Sequence, residues 1–143
     1  RSLQEMGDDA DLYMETANRL GAYDAGYSLI TDAQLLATVT GETWQPEATF
    51  FLIDREDRIM GLLRASFGAA GRGSLHEIRI EPSLRGIGLG TAMVAAALHF
   101  LRGRGVTLAD LDTTGENTAP HRLALRCGFR VTTHWLHHLK RLT

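Results

Sequence analysis

Between Leu84 and Gly105 the chain reads LRGIGLGTAMVAAALHFLRGRG, three glycines at alternate positions behind an arginine and then an apolar, alanine-rich run. Gly86, Gly88 and Gly90 lack a Cβ, so the backbone can curl tightly there and let a ligand approach it closely. The residues that follow favour a helix. The first N–H groups of a helix have no carbonyl partner within it, and the aligned peptide dipoles place about half a positive charge there. A glycine turn at that point is a cradle for phosphate, and the diphosphate of a small ligand fits it best.

Which phosphate ligand is left open by the loop itself. A nucleoside-triphosphate P-loop needs Gly-Lys-Ser/Thr at the helix start, and here Gly90 is followed by Thr91 with no lysine. The dinucleotide fingerprint needs G-x-G-x-x-G and an acid about 20 residues on. Asp110 stands near that distance, but the glycine spacing differs and the second strand-helix-strand half is missing.

At 143 residues with 44% hydrophobic content, the chain is sized for one domain spanning 1–143. No apolar run approaches the ~18 uncharged residues of a membrane span, and no signal-type segment opens the chain, so the expectation is a cytoplasmic protein with no membrane partner. It begins at Arg1 rather than Met, which reads as a processed product or part of a longer or tandem protein. Cys127 is the single cysteine, so no internal disulfide forms. The net charge of −2 hides an asymmetry: residues 1–74 carry −6 and residues 75–143 carry +4, with all six histidines in the second half. A mildly basic half around a glycine loop suits a small anion and is too weak for a nucleic-acid surface.

Along the chain, DDADLYMETANRL (8–20) and TDAQLLATV (31–39) have helical spacing, closed by Gly21 and Gly41. TFFLID and RIMGLLRASF read as a hairpin of buried strands around REDR. SLHEIRIEP alternates, which puts Leu75, Glu77, Arg79 and Glu81 on one face and His76, Ile78 and Ile80 on the other, until Pro82 ends the strand. The glycine loop, a helix over about 90–101, a strand VTLADLD, a helix over about 118–126 stopped by Gly128, and a strand pair over 129–139 complete the order. The predicted class is α/β in the broad sense, a mixed sheet covered by helices.

RGIGLG resembles the R/Q-x-x-G-x-G/A signature of the GNAT superfamily of acyl-CoA-dependent N-acyltransferases, with Arg85, Gly88 and Gly90 on the defining positions. The element order is similar to that family's β-α-α-β-β-β-α-β-α-β-β, with the first strand short or missing, since RSLQEMG is a poor strand. ENTAPHRLALRCGF resembles the family's second cofactor segment through Asn117, Gly128 and Phe129. The resemblance covers nearly the whole chain, though the N-terminal third only in topology. It implies acetyl-CoA or a related acyl-CoA as cosubstrate and no metal. It places the diphosphate on Arg85, Gly86, Ile87, Gly88, Leu89, Gly90 and Thr91, the pantetheine along Ile78, Arg79 and Ile80, and Asn117 on the cofactor's other side. The implied partner is a primary amine on a small molecule, peptide or protein; a homodimer is compatible with it.

The implied chemistry is direct attack by an amine on the thioester carbonyl in a ternary complex. An alkyl amine with a pKa near ~10.4 must first lose a proton, and an imidazole titrating near ~6.5 accepts one at neutral pH. His76 is the candidate base, on the face of Ile78; Glu77 and Glu81 rank second because strict alternation puts them on the other face. Matching HRLALRCGF to the family puts Ala124 where many members carry a proton-donating tyrosine, with His121 one turn earlier as an alternative donor. The competing reading is therefore a non-catalytic acyl-CoA-binding module. The histidines of HWLHH (134, 137 and 138) have neither the spacing nor the neighbours of a metal site, and Trp135 is expected in a closing strand. Tyr23, Tyr27 and Trp44 are candidates to line an acceptor pocket.

Overall fold

A computed structural model of the chain describes residues 1–23, 27–112, 119–131 and 137–142, without the side chains of 119, 120, 137 and 138. Two helices come first, α1 (Ala10–Gly21) and α2 (Asp32–Val39). Asp9 caps α1 by accepting from the amides of Asp11 and Leu12, and Thr31 with Gln34 forms a reciprocal capping box on α2. The strands β1 (Thr49–Ile53), β2 (Ile59–Phe67) and β3 (Arg72–Ile80) form an antiparallel meander. The helix α3 (Leu89–Gly103) crosses over to β4 (Leu108–Asp112), which runs parallel to β3; α4 (Ala119–Arg126), β5 (Arg130–Val131) and β6 (His137–Arg141) follow. The mixed sheet has the order β1-β2-β3-β4-β6-β5. Ahead of α1, Ser2 forms one antiparallel bridge to Phe50 and the Leu3 amide donates to the Thr49 carbonyl at 2.7 Å, so the opening strand is present as a short remnant.

Alternation along β2 separates two cores. Leu62 faces α1 and α2 with Leu3, Tyr13, Ala17, Leu20, Leu35 and Phe51. Leu63 and Ala65 face α3 and α4 with Val94, Ala97, Leu101 and Ala124. Leu62 and Leu63 are both fully buried, each contributing about 1.5–3 kcal/mol of transfer free energy. The sheet is thus apolar on both faces, which is why β1 and β2 read as continuous apolar runs.

Two features of β3 position the site. Its ladder with β4 runs from Arg72↔Leu108 to Leu75↔Leu111, yet β3 continues to Ile80, so the two parallel strands part after Leu75. On the other edge, Arg64 pairs with Glu77 and Ala65 with Leu75, which leaves His76 as the extra residue of a β-bulge.

The bulge corrects the expected alternation. Leu75 belongs to the α3/α4 core, whereas Glu77 accepts a hydrogen bond from Tyr13 of α1, so the phase changes between them. His76 bonds to Ser66, which lies between Ala65 and Phe67, two residues packed into the α3/α4 core. Ser66 therefore faces the α1/α2 layer, and His76 and Glu77 share that face. Ile78 and Ile80 pack against the α3/α4 core, opposite His76. An inserted residue shifts a period-two pattern by one, which alternation alone does not register.

Candidate active site

The turn before α3 folds as its glycines require. Gly86 and Gly88 adopt φ of +83° and +86°, and a Cβ at either would meet no atom of the described residues within 4 Å, so the loop is left-handed and clear of them above both. Gly88 is the N-cap, with no side-chain cap; the first helical bond runs from the Ala92 amide to the Gly88 carbonyl at 3.0 Å. The amides from Gly88 to Thr91 thus precede the helical ladder. Gly90 serves another purpose. Its Cβ would lie 3.2 Å from Ile80 Cδ1 and 3.3 Å from Leu123 Cδ2, so its bareness lets β3 and α4 close on the first turn of α3.

A cavity of about 560 Å³ opens there, lined by Ile78–Ile80 of β3, Leu84, Arg85, Gly86 and Gly88 of the loop, Gly90 and Thr91 of the first turn of α3, and Arg122, Leu123 and Arg126 of α4. The expected residues Ile78, Arg79, Ile80, Arg85, Gly86, Gly88, Gly90 and Thr91 are brought together in it. Ile87 and Leu89 do not line it, and the Ile87 side chain is exposed. Asn117 lies outside the described residues, as do His134 and Trp135. Leu84, Arg122, Leu123 and Arg126 belong to the cavity and were not anticipated. The one signal for the α4 arginines was their i, i+4 spacing, which puts them on a single helical face.

His76 does not line this cavity; it stands at the bulge where β3 and β4 part, on the opposite face of the sheet. Its Nε2 is 2.6 Å from Ser66 Oγ. Desolvation of the covered part of the ring, followed by the nearby Arg64 cation, holds its pKa below the ordinary imidazole value, against the opposing pull of Asp110, Glu77 and Asp112.

Beside it, the Glu77 carboxylate is held from three directions. Tyr13 Oη donates at 2.6 Å and Arg79 Nε at 3.0 Å, and Arg64 Nε lies 3.7 Å away. Burial first, and then the Glu77 charge, push the Tyr13 hydroxyl pKa up. Nε and Nη1 of Arg64 are buried with no hydrogen-bond partner among the described residues. Arg79 stacks over Tyr27, its guanidinium carbon 4.5 Å from the ring centroid, and Trp44 meets Tyr13 edge-on at 5.1 Å. Tyr27 and Trp44 thus belong to the apron around the bulge, whereas Tyr23 is exposed. Glu81 is paired with Arg19 of α1 at 3.1 Å. Ala124 is packed in the α3/α4 core, and His121 is buried on α4 outside the cavity lining.

A family model described as Acetyltransferase (GNAT) family matches residues 21–129. The chain belongs to this family. Among curated proteins it is similar to a mycothiol acetyltransferase of Cellulomonas flavigena, 30% identical over 136 residues covering 88% of this chain and 39% of that protein. A mycothiol acetyltransferase of Sanguibacter keddieii is 31% identical over 133 residues, covering 89% and 42%. The chain thus spans about two fifths of the length of these relatives. Among solved structures, Ard1 from Thermoplasma volcanium superposes with a TM-score of 0.75 at 16% identity, over 91% of each chain. The PaiA N-acetyltransferase of Thermoplasma acidophilum in complex with coenzyme A superposes with a TM-score of 0.68 at 16% identity, over 94% of this chain and 93% of that one. These likenesses show that the mixed α/β architecture of this chain is the GNAT fold.

Proposed function

We propose that this chain is an N-acetyltransferase domain that binds acetyl-CoA in the α3 cavity and moves the acetyl group to a primary amine arriving on the α1/α2 face. The observation that carries the reading is the meeting of two features in one cleft: main-chain donors of Gly88 to Thr91 at one end, and β3 running on beyond its ladder with β4 at the other. The open space above Gly86 and Gly88 suits a diphosphate, and Ile78, Ile80 and Leu123 suit the pantetheine arm. When bound, acetyl-CoA supplies the thioester carbonyl where the strands part.

At that point His76 is the general base. A neutral ring that donates Nε2–H to Ser66 Oγ keeps Nδ1 as its basic nitrogen, ready to take the amine proton directly or through water. The Arg64 cation favours that neutral state. Glu77 suits an orienting role, because its oxygens already accept from Tyr13 and Arg79. The orphaned donors of Arg64 beside this pair support a binding face here, since such groups are rare in native interiors and concentrate where a ligand or water completes them.

The acceptor belongs to the amines of small molecules, peptides or proteins, the range spanned by the names of related proteins. The core-packed Ala124 favours a second reading, a module that binds acyl-CoA without turnover. A free thiol has a pKa of about 8.5, so the thiolate leaves tolerably without a tyrosine donor. Thiol release from acetyl-CoA with a panel of amines separates the two: turnover with any amine supports the transferase, and calorimetric binding without turnover for every amine supports the module.

A further inference from the structure

Arginines 85, 122 and 126 line the α3 cavity, while Arg79 of the same lining strand turns its guanidinium to Glu77 and Tyr27 on the other face, and no Asp or Glu lines the cavity among the described residues. Two of them come from α4, whose placement is set by its neighbouring stripe. Leu123 stands against Gly90, which sets α4 across the first turn of α3. Arg122 precedes the anchored Leu123 by one residue, and 122 and 126 are one turn apart, so the two arginines form a row beside it on the helix. That row is solvent-exposed while still lining the cavity, which places Arg122 and Arg126 at its mouth rather than its floor.

Main-chain amides already answer the diphosphate at the loop. Coenzyme A carries a further phosphate, the 3′-phosphomonoester on its ribose, beyond the diphosphate on the adenosine side. A phosphomonoester bears close to two negative charges and three acceptor oxygens, the group that paired guanidinium forks recognise best. We propose that Arg122 and Arg126 form the subsite for this 3′-phosphate, so that the protein selects 3′-phosphorylated acyl carriers over their dephospho counterparts. The inference rests on the acyl-CoA reading above and adds a specificity-determining pair to it.

Calorimetry with coenzyme A and with 3′-dephospho-coenzyme A, on the wild type and on Arg122→Gln/Arg126→Gln, tests it. Wild type is expected to bind coenzyme A about tenfold or more tighter than the dephospho form, the scale of a charged hydrogen-bonded contact at a partly exposed site. In the double variant coenzyme A should fall to the dephospho level, while the dephospho form keeps its affinity within about twofold. An equal loss for both ligands assigns the arginines to the diphosphate and overturns the proposal. So does a wild type that does not distinguish the two ligands. If wild type binds neither, the acyl-CoA reading itself falls, a result separable from the other two. Comparing the ligands on the wild type needs no mutation, so the test survives a variant that fails to fold.

Discussion

His76 Nε2 and Ser66 Oγ stand 2.6 Å apart across a bulge that exists only because β2 and β3 pair out of step at Arg64 and Ala65. The pair joins the first residue of β3 beyond its ladder with β4 to the face that carries Glu77, Tyr13 and Arg79. His76→Gln keeps a polar side chain at the bulge and removes the titrating nitrogen. It should lower kcat by about a hundredfold, within the range for a general base, and flatten the acid limb of the pH profile while coenzyme A affinity holds. Unaltered kinetics would remove His76 from the mechanism.

The same histidine links stability to pH. Its folded pKa lies below the unfolded value of about 6.5, so the folded state favours the neutral ring. Its contribution is complete above about pH 6.5 and is lost as pH falls through the lower folded value. Urea midpoints measured from pH 8 to pH 4.5 should show a decline in the wild type that is shallower in His76→Gln. Matching slopes would show that the ring does not sense its surroundings.

Gly88→Glu places a carboxylate where the cradle needs an anion, on a backbone with φ of +86°. The left-handed strain costs about 1–2 kcal/mol, which thermal denaturation should register. Coenzyme A binding should vanish in calorimetry under conditions where circular dichroism still reports a folded chain. Retained binding would move the diphosphate away from this loop.

Tyr13→Phe removes the hydroxyl that donates to Glu77 and leaves the two arginines in place. A loss of about 1–2 kcal/mol is expected in urea unfolding, since bonds to charged groups contribute more than neutral ones. Because the folded Tyr13 pKa is raised, its contribution is present below about pH 10 and lost as pH climbs beyond that. The difference between wild type and variant in phenolate absorbance should therefore appear only above the ordinary tyrosine range.

Gly21→Ala tests a second role of a glycine that the sequence shows only as a helix stop. It closes α1 as expected, and a Cβ there would also sit 2.6 Å from the ring of Tyr27. That ring packs beneath Arg79, and its hydroxyl donates to Asn18 at 2.9 Å. Displacing it costs about 1–3 kcal/mol, partly offset by about 1 kcal/mol of helix propensity. Near-ultraviolet circular dichroism should change with a modest net destabilisation; an unchanged spectrum would argue against the packing.

The elements with strong local grammar were legible. The helical segments closed by Gly21 and Gly41, the apolar hairpin around REDR, the glycine turn and the Gly128 stop each follow from interactions within a few residues. Most of the cavity lining was legible too, because it lies within one strand-turn-helix unit. The α4 contribution was not: which stripe of a short helix faces a ligand depends on what its neighbouring stripe packs against, here Leu123 on Gly90.

What the amino-acid order determined by itself is the list of elements and the phosphate cradle, since dihedral preference, capping and apolar periodicity are short-range. What only the tertiary structure decided is which side chains share a face: His76 with Glu77, and Arg122 with the glycine loop. Strand register and helix docking are settled by contacts between segments far apart in the chain. One extra residue between Leu75 and Glu77, visible only against β2, turned the histidine away from Ile78 and onto the α1/α2 side.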